Sequence, residues 1–129
     1  MISGIGVDII QVNRIKKAIE NSGDGFINKV FTKGEQECCR RGKNIYQHLA
    51  ARFAGKEAVL KAFNLGWSSV DWKSIEIEND ATGAPRVILH NRMKEICDEK
   101  YVDKIFFSIS HFGSYAVAVV ILQTWTKNE

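Results

Sequence analysis

The sequence predicts an α+β fold in which helices pack on an antiparallel sheet. Three observations lead there. Two apolar stretches late in the chain meet across a short glycine turn, residues 46–63 form one long helical signal, and strands and helices follow one another without strict alternation.

Taken in order, residues 2–10 read as a buried strand, β-branched, with Gly4 and Gly6 inside it and Asp8 near its end. Val12, Ile15 and Ile19 then recur at helical spacing, with Arg14 and Lys17 on another face. Residues 21–25, rich in Asn, Ser and Gly, break that helix. A short helical piece follows with Phe26, Ile27, Val30 and Phe31. Thr32 and Glu35 stand at the N-cap and N3 spacing of a capping box. Residues 74–78 and 86–90 read as strands flanking a turn that contains Gly83 and Pro85, and Asn91 reads as the cap of a helix to about Lys100. Residues 104–111 and 115–122 read as a hairpin closed by Phe112, Gly113 and Ser114, and residues 127–129 as a frayed end. Residues 116–122 are apolar at every position. Such a strand is either covered on both faces or lies at a subunit interface.

The 129 residues carry no linker and no internal repeat, so they read as one domain, 1–129. Eighteen Lys and Arg against fifteen Asp and Glu give a net charge of +3, too little to call for nucleic acid. No stretch approaches the ~20 apolar residues of a membrane span. Cys38, Cys39 and Cys97 form neither a zinc pattern nor a disulfide framework, which suits a reduced, cytoplasmic setting.

The stretch at 46–63 is apolar or small nearly all round, with Leu49, Phe53, Leu60 and Phe63 on one stripe and alanines and Gly55 opposite. It is therefore expected to be buried, yet it carries Arg52, Lys56, Glu57 and Lys61. Buried ions need partners, because each unpaired one costs several kcal/mol. Glu57 and Lys61, four apart, can pair with each other on the helix. Asp8 can cap the helix that follows it, or it can join Glu57 in a site for a hard cation that leaves positions open for phosphate oxygens. Ser108 and Ser110 alternate with apolar neighbours, and His111 ends their strand.

Four segments in order resemble the holo-acyl-carrier-protein synthases of the 4'-phosphopantetheinyl transferase family. Gly4-Ile5-Gly6-Val7-Asp8 is similar to the first motif. Arg52-Phe53-Ala54-Gly55-Lys56-Glu57-Ala58-Val59-Leu60-Lys61-Ala62 is similar to the second. Gly83-Ala84-Pro85 and Ser108-Ile109-Ser110-His111 are similar to the third and fourth.

The resemblance implies transfer of 4'-phosphopantetheine from coenzyme A to a serine of apo acyl carrier protein, in fatty acid biosynthesis. It implies catalytic Asp8, Glu57 and Lys61, with Asp8 and Glu57 holding Mg2+ (Mn2+ suits the same oxygens). Coenzyme A would meet Arg52, Lys56, Lys61, Gly66, Gly83, Pro85, Ser110 and His111. It further implies a homotrimer with active sites at subunit interfaces, Arg52 and His111 acting across the boundary. Arg14 and Lys17 offer a docking face for the acidic carrier. Ala84 stands where the family often has lysine, and Phe112 follows His111 where a small or polar residue is usual. A basic module that binds RNA through exposed Trp67 and Trp72 is the competing reading, together with a family fold that has lost activity.

Overall fold

A computed structural model describes residues 1–125; the frayed end expected at 127–129 lies outside them. The chain runs β1 (Ile2–Gln11), α1 (Val12–Ser22), α2 (Asp24–Val30), α3 (Lys33–Arg40) and α4 (Ile45–Ala62). It continues through a 3-10 turn (Trp72–Ser74), β2 (Ile75–Asn79), β3 (Pro85–Leu89), α5 (Asn91–Glu99), β4 (Val102–Phe112) and β5 (Tyr115–Thr124). Three strands form an antiparallel sheet in the order β1-β5-β4, and β2 pairs with β3 in a separate antiparallel ribbon. The expected α+β class is the one observed.

Local chemistry accounts for the boundaries. Gly23, at a φ of 58° that favours glycine, ends α1. The Thr32 amide donates to Glu35 Oε1 at 2.9 Å and the Glu35 amide to Thr32 Oγ1 at 3.1 Å, which closes the capping box of α3. The expectation for Asn91 is corrected: His90 holds the cap position without a side-chain bond, and Asn91 turns the chain into α5 at a φ of 50°, which asparagine tolerates.

Register decides what each sheet face shows. On one face stand the rows Gly6–Val120–Phe107, Asp8–Ala118–Ile109 and Ile10–Ala116–His111. On the other stand Ile5–Ile121–Phe106, Val7–Val119–Ser108 and Ile9–Val117–Ser110. Helix α4 covers the first face, and its Leu49, Ala54, Ala58, Val59 and Leu60 join Ala118, Val120 and Leu122 in the core. The second face is bare in the single chain, with Ile5 and Ile9 each 66% exposed and Val7 55%. The expectation that β1 is buried therefore fails on one face. β5 is central, yet covered by a helix on one side only.

Candidate active site

Helix α4 approaches β1 closely because both surfaces are small. A Cβ on Gly6 would clash with the Ala58 carbonyl oxygen, and one on Gly4 with that of Ala62. The side chains missing from β1 let the helix backbone lie against the strand, and this brings Glu57 and Lys61 beside Asp8. Lys61 Nζ donates to Asp8 Oδ1 and to the Val7 carbonyl, each at 3.1 Å. The partner of Lys61 is thus Asp8 on the neighbouring strand, and not the i−4 acid Glu57 of its own helix. Nor does Asp8 cap α1, whose cap residue is Gln11 without a side-chain bond.

Both carboxyls sit above their ordinary range. Burial raises Asp8, against the opposing hydrogen bond and charge of Lys61. Burial also raises Glu57, the charge of Asp8 adds to that, and Lys61 and the Trp67 indole pull the other way. The Lys61 side chain is 52% exposed, so its neutralising effect is weak and the pair of acids lacks a full counter-charge.

Asp8 and Glu57 line a cavity of about 400 Å3. Its walls are apolar and aromatic: Ile15 and Ala18 from α1, Phe26 and Val30 from α2, and Phe53 from α4, closed by Trp67 and Trp72. Phe53 stacks on Trp72 with ring centroids 5.0 Å apart, and the Trp72 indole donates to the Trp67 carbonyl at 3.0 Å. Arg14 lines this cavity, whereas Lys17, exposed on the same helix, does not. Lys29 of α2 adds a cation that no sequence pattern marked. Trp72, expected to be exposed, is 8% exposed and forms wall, which removes half of the aromatic pair on which an RNA-binding reading rested.

Other expected site residues lie elsewhere in the chain. Lys56 is a correction: its side chain is fully buried, paired with Glu35 at 2.8 Å and bonded to the Trp72 and Ile75 carbonyls. Its donors are spent inside the core, so it anchors α4 and has no reach to a phosphate. Arg52 and His111 stand together with His48, away from the cavity lining. Ser110 faces the bare side of the sheet, opposite to its neighbour His111. Gly66 donates its amide to Ser69 Oγ at 3.2 Å in the loop that precedes Trp67. Gly83, at a φ of 89°, lies in the exposed turn between β2 and β3, and Pro85, half-buried, opens β3 opposite Asn79. The cavity of one chain thus gathers the two acids and Arg14, with Lys61 beside Asp8, and its lining includes none of Arg52, His111, Ser110, Gly66, Gly83 and Pro85.

The donor chemistry at Asp8 and Glu57 fits a hard divalent cation such as Mg2+ or Mn2+. The oxygens on offer are those of carboxylates, and they are under-neutralised. Among the described residues no three His, Cys, Asp or Glu side chains converge as a metal cage. Two carboxylates with the remaining positions open to phosphate oxygens is the usual arrangement for Mg2+.

A family model described as the 4'-phosphopantetheinyl transferase superfamily matches residues 4–120. The chain is 44% identical over 121 residues to a holo-[acyl-carrier-protein] synthase of Alkaliphilus oremlandii, covering 94% of this chain and 98% of that one. Among solved structures, holo-[acyl-carrier-protein] synthase from Neisseria meningitidis superposes with a TM-score of 0.89 at 29% identity, covering 96% of this chain and all of that one. The Helicobacter pylori holo-[acyl-carrier-protein] synthase in complex with coenzyme A matches with a TM-score of 0.82 at 29% identity, over 92% and 99% of the two chains. The chain belongs to the 4'-phosphopantetheinyl transferase superfamily and, within it, to the holo-acyl-carrier-protein synthases.

Proposed function

We propose that this chain transfers 4'-phosphopantetheine from coenzyme A to a serine of an apo acyl carrier protein, in cytoplasmic fatty acid biosynthesis. The observation that carries this reading is the pair of under-neutralised acids, Asp8 and Glu57, at the head of an apolar cleft in a member of this family. The serine hydroxyl oxygen bonds to the β-phosphorus of coenzyme A. The bond from that phosphorus to the oxygen bridging the two phosphates breaks, and adenosine 3',5'-bisphosphate departs with the electron pair. The hydroxyl proton passes to a base at the site.

The work of such a site is positioning and charge neutralisation. A divalent cation held by Asp8 and Glu57, Mg2+ or Mn2+, would neutralise charge on the phosphoryl oxygens. Lys61, half exposed beside Asp8, would donate to the same oxygens. Phe53, Trp67 and Trp72 give the cleft beside the acids an aromatic wall. Arg14 and Lys17 on α1 suit an acidic carrier.

Arg52, His111 and Ser110, with the turns at Gly66, Gly83 and Pro85, serve the nucleotide end. Arg52 and His111 do so across a boundary between copies in a homotrimer. Support for assembly comes from the bare apolar sheet face and from the absence of Arg52 and His111 from the cavity lining.

The test is intact-protein mass of an apo acyl carrier protein after incubation with this protein and coenzyme A, with Mg2+ or with EDTA. A gain of one phosphopantetheine only with metal is expected. Asp8→Ala and Glu57→Ala should each lower the rate at least ~100-fold, as expected when a group acting on the transferred phosphoryl is lost, while the fold persists by circular dichroism. Near-normal transfer by either variant, or no transfer by folded wild type to several carriers, overturns the reading.

A further inference from the structure

His48 belongs to none of the four motifs, yet it stands where three basic side chains meet. It lies four residues before Arg52, so both project from the same face of α4. Its ring meets that of His111, at the end of β4, edge to face with centroids 6.2 Å apart. Arg52 is 5% exposed, and its Nε is buried without a partner. One of its terminal nitrogens donates to Cys38 Sγ at 3.3 Å, a weak acceptor. Among the described residues no carboxylate lies within ion-pair distance of Arg52.

Burial, the Arg52 charge and His111 together depress the His48 pKa, and no acid appears among the groups acting on that ring. The loop between α3 and α4 meets it through Gly42, where a Cβ would come within 3.1 Å of His48 Nε2. Three bases crowd together without an anion, and an orphaned guanidinium nitrogen is among them. A buried donor without a partner costs free energy that an anionic ligand recovers.

We propose that His48 is a specificity-determining residue which completes, with Arg52 and His111, a cradle for a dianionic phosphate monoester, and that it takes up a proton when that ligand binds. The inference rests on the reading that Arg52 and His111 serve the nucleotide end of coenzyme A. The ligand group is then the 3'-phosphate. His48 acts as the sensor that separates a 3'-phosphorylated nucleotide from one lacking that group.

Calorimetric titration of the full chain with adenosine 3',5'-bisphosphate and with adenosine 5'-monophosphate tests this between pH 6.5 and 8.0, where the phosphate is largely dianionic. Wild type should bind the bisphosphate more tightly at pH 6.5, with proton uptake read from the dependence of the heat on buffer ionisation. His48→Gln and His48→Phe should each weaken the bisphosphate about tenfold at pH 6.5, ~1.4 kcal/mol, and reduce the proton uptake. Neither should change affinity for the monophosphate. The inference is overturned if both folded variants keep bisphosphate affinity and proton uptake, or if they lose both ligands equally. If Arg52→Ala abolishes the preference for the bisphosphate while His48→Gln keeps it, His48 alone is misassigned. If wild type shows no preference at all, the nucleotide role of Arg52 and His111 fails with it.

Discussion

At Asp8 and Glu57, burial is the first cause that raises the carboxyl pKa, and at Glu57 the neighbouring Asp8 charge is the second. A carboxyl raised in the folded state holds its proton more tightly there than in the unfolded chain. Stability therefore falls as pH rises from the unfolded value near 4 through the folded one, and the loss persists at neutral pH. Asp8→Asn removes one of the two charges. In EDTA at pH 7 it should melt a few degrees above wild type, the gain should shrink on acidification to about pH 4, and Mg2+ should raise the melting point of wild type only. A variant less stable than wild type at pH 7 without metal would show that the Lys61 bond outweighs the crowding of the acids. These two acids were legible in the sequence because each interrupts an apolar element. His48 was not, because its meaning comes from Arg52 one helical turn away and from His111 on a distant strand. Lys56 was legible as a buried ion but not by partner. Glu35, its partner, showed only its capping role, and the second use of that carboxylate depends on where α3 meets α4 and β2.

Helix α4 is held at two points that set where Glu57 sits. One is the close contact of Gly4 and Gly6 with the α4 backbone. The other is Lys56, next in sequence to Glu57, whose ammonium joins α4 to Glu35 of α3 and to the Trp72 and Ile75 carbonyls. Removing one member of a buried pair leaves the other charged and unpartnered, at a cost of ~3–5 kcal/mol. Glu35→Ala should approach that cost, since Glu35 also accepts from the Ile77 and Thr32 amides. Lys56→Met should cost less than Glu35→Ala, and the double variant should cost less than the two single losses added, by urea denaturation. Strict additivity would mean that the pair contributes no coupling. Gly6→Ala forces the Ala58 carbonyl away and should cost ~1–3 kcal/mol. It should also weaken Mg2+-dependent transfer, because Asp8 and Glu57 lie on the two surfaces pushed apart. Strands and helices were legible from apolar spacing and from the capping box. What periodicity could not reveal was which face of β1 the helix covers, since Ile5, Val7 and Ile9 are as apolar as any core strand.

A single chain leaves one side of its main sheet apolar and bare, with Ile5, Val7 and Ile9 on β1 and Phe106 on β4 exposed around the half-buried Val117, Val119 and Ile121. A contiguous apolar face of this kind suits contact with another chain. The continuous apolar run at 116–122 already allowed that outcome, but only the position of α4 on the opposite face separates it from a strand covered twice. Within one chain, Asp8 and His111 lie on the same sheet face but on its two edge strands, and the acid-lined cavity includes neither His111 nor Arg52. If assembly through the bare face brings Arg52 and His111 of one copy to the cavity of the next, activity and oligomeric state must fall together. Wild type should sediment as a trimer of 14.6 kDa chains. Val7→Lys, which places a charge on the bare face, should sediment as a monomer, keep its helical circular dichroism, and lose most transfer activity through a higher KM for coenzyme A. A second arm separates a shared site from mere mutual stabilisation: Asp8→Ala and His111→Ala chains, each nearly inactive alone, are mixed and allowed to exchange subunits. Sites built across the boundary regain activity wherever an intact Asp8 faces an intact His111. Sites built within one chain regain none, and that result, or a fully active wild-type monomer, would sink the shared-site arrangement.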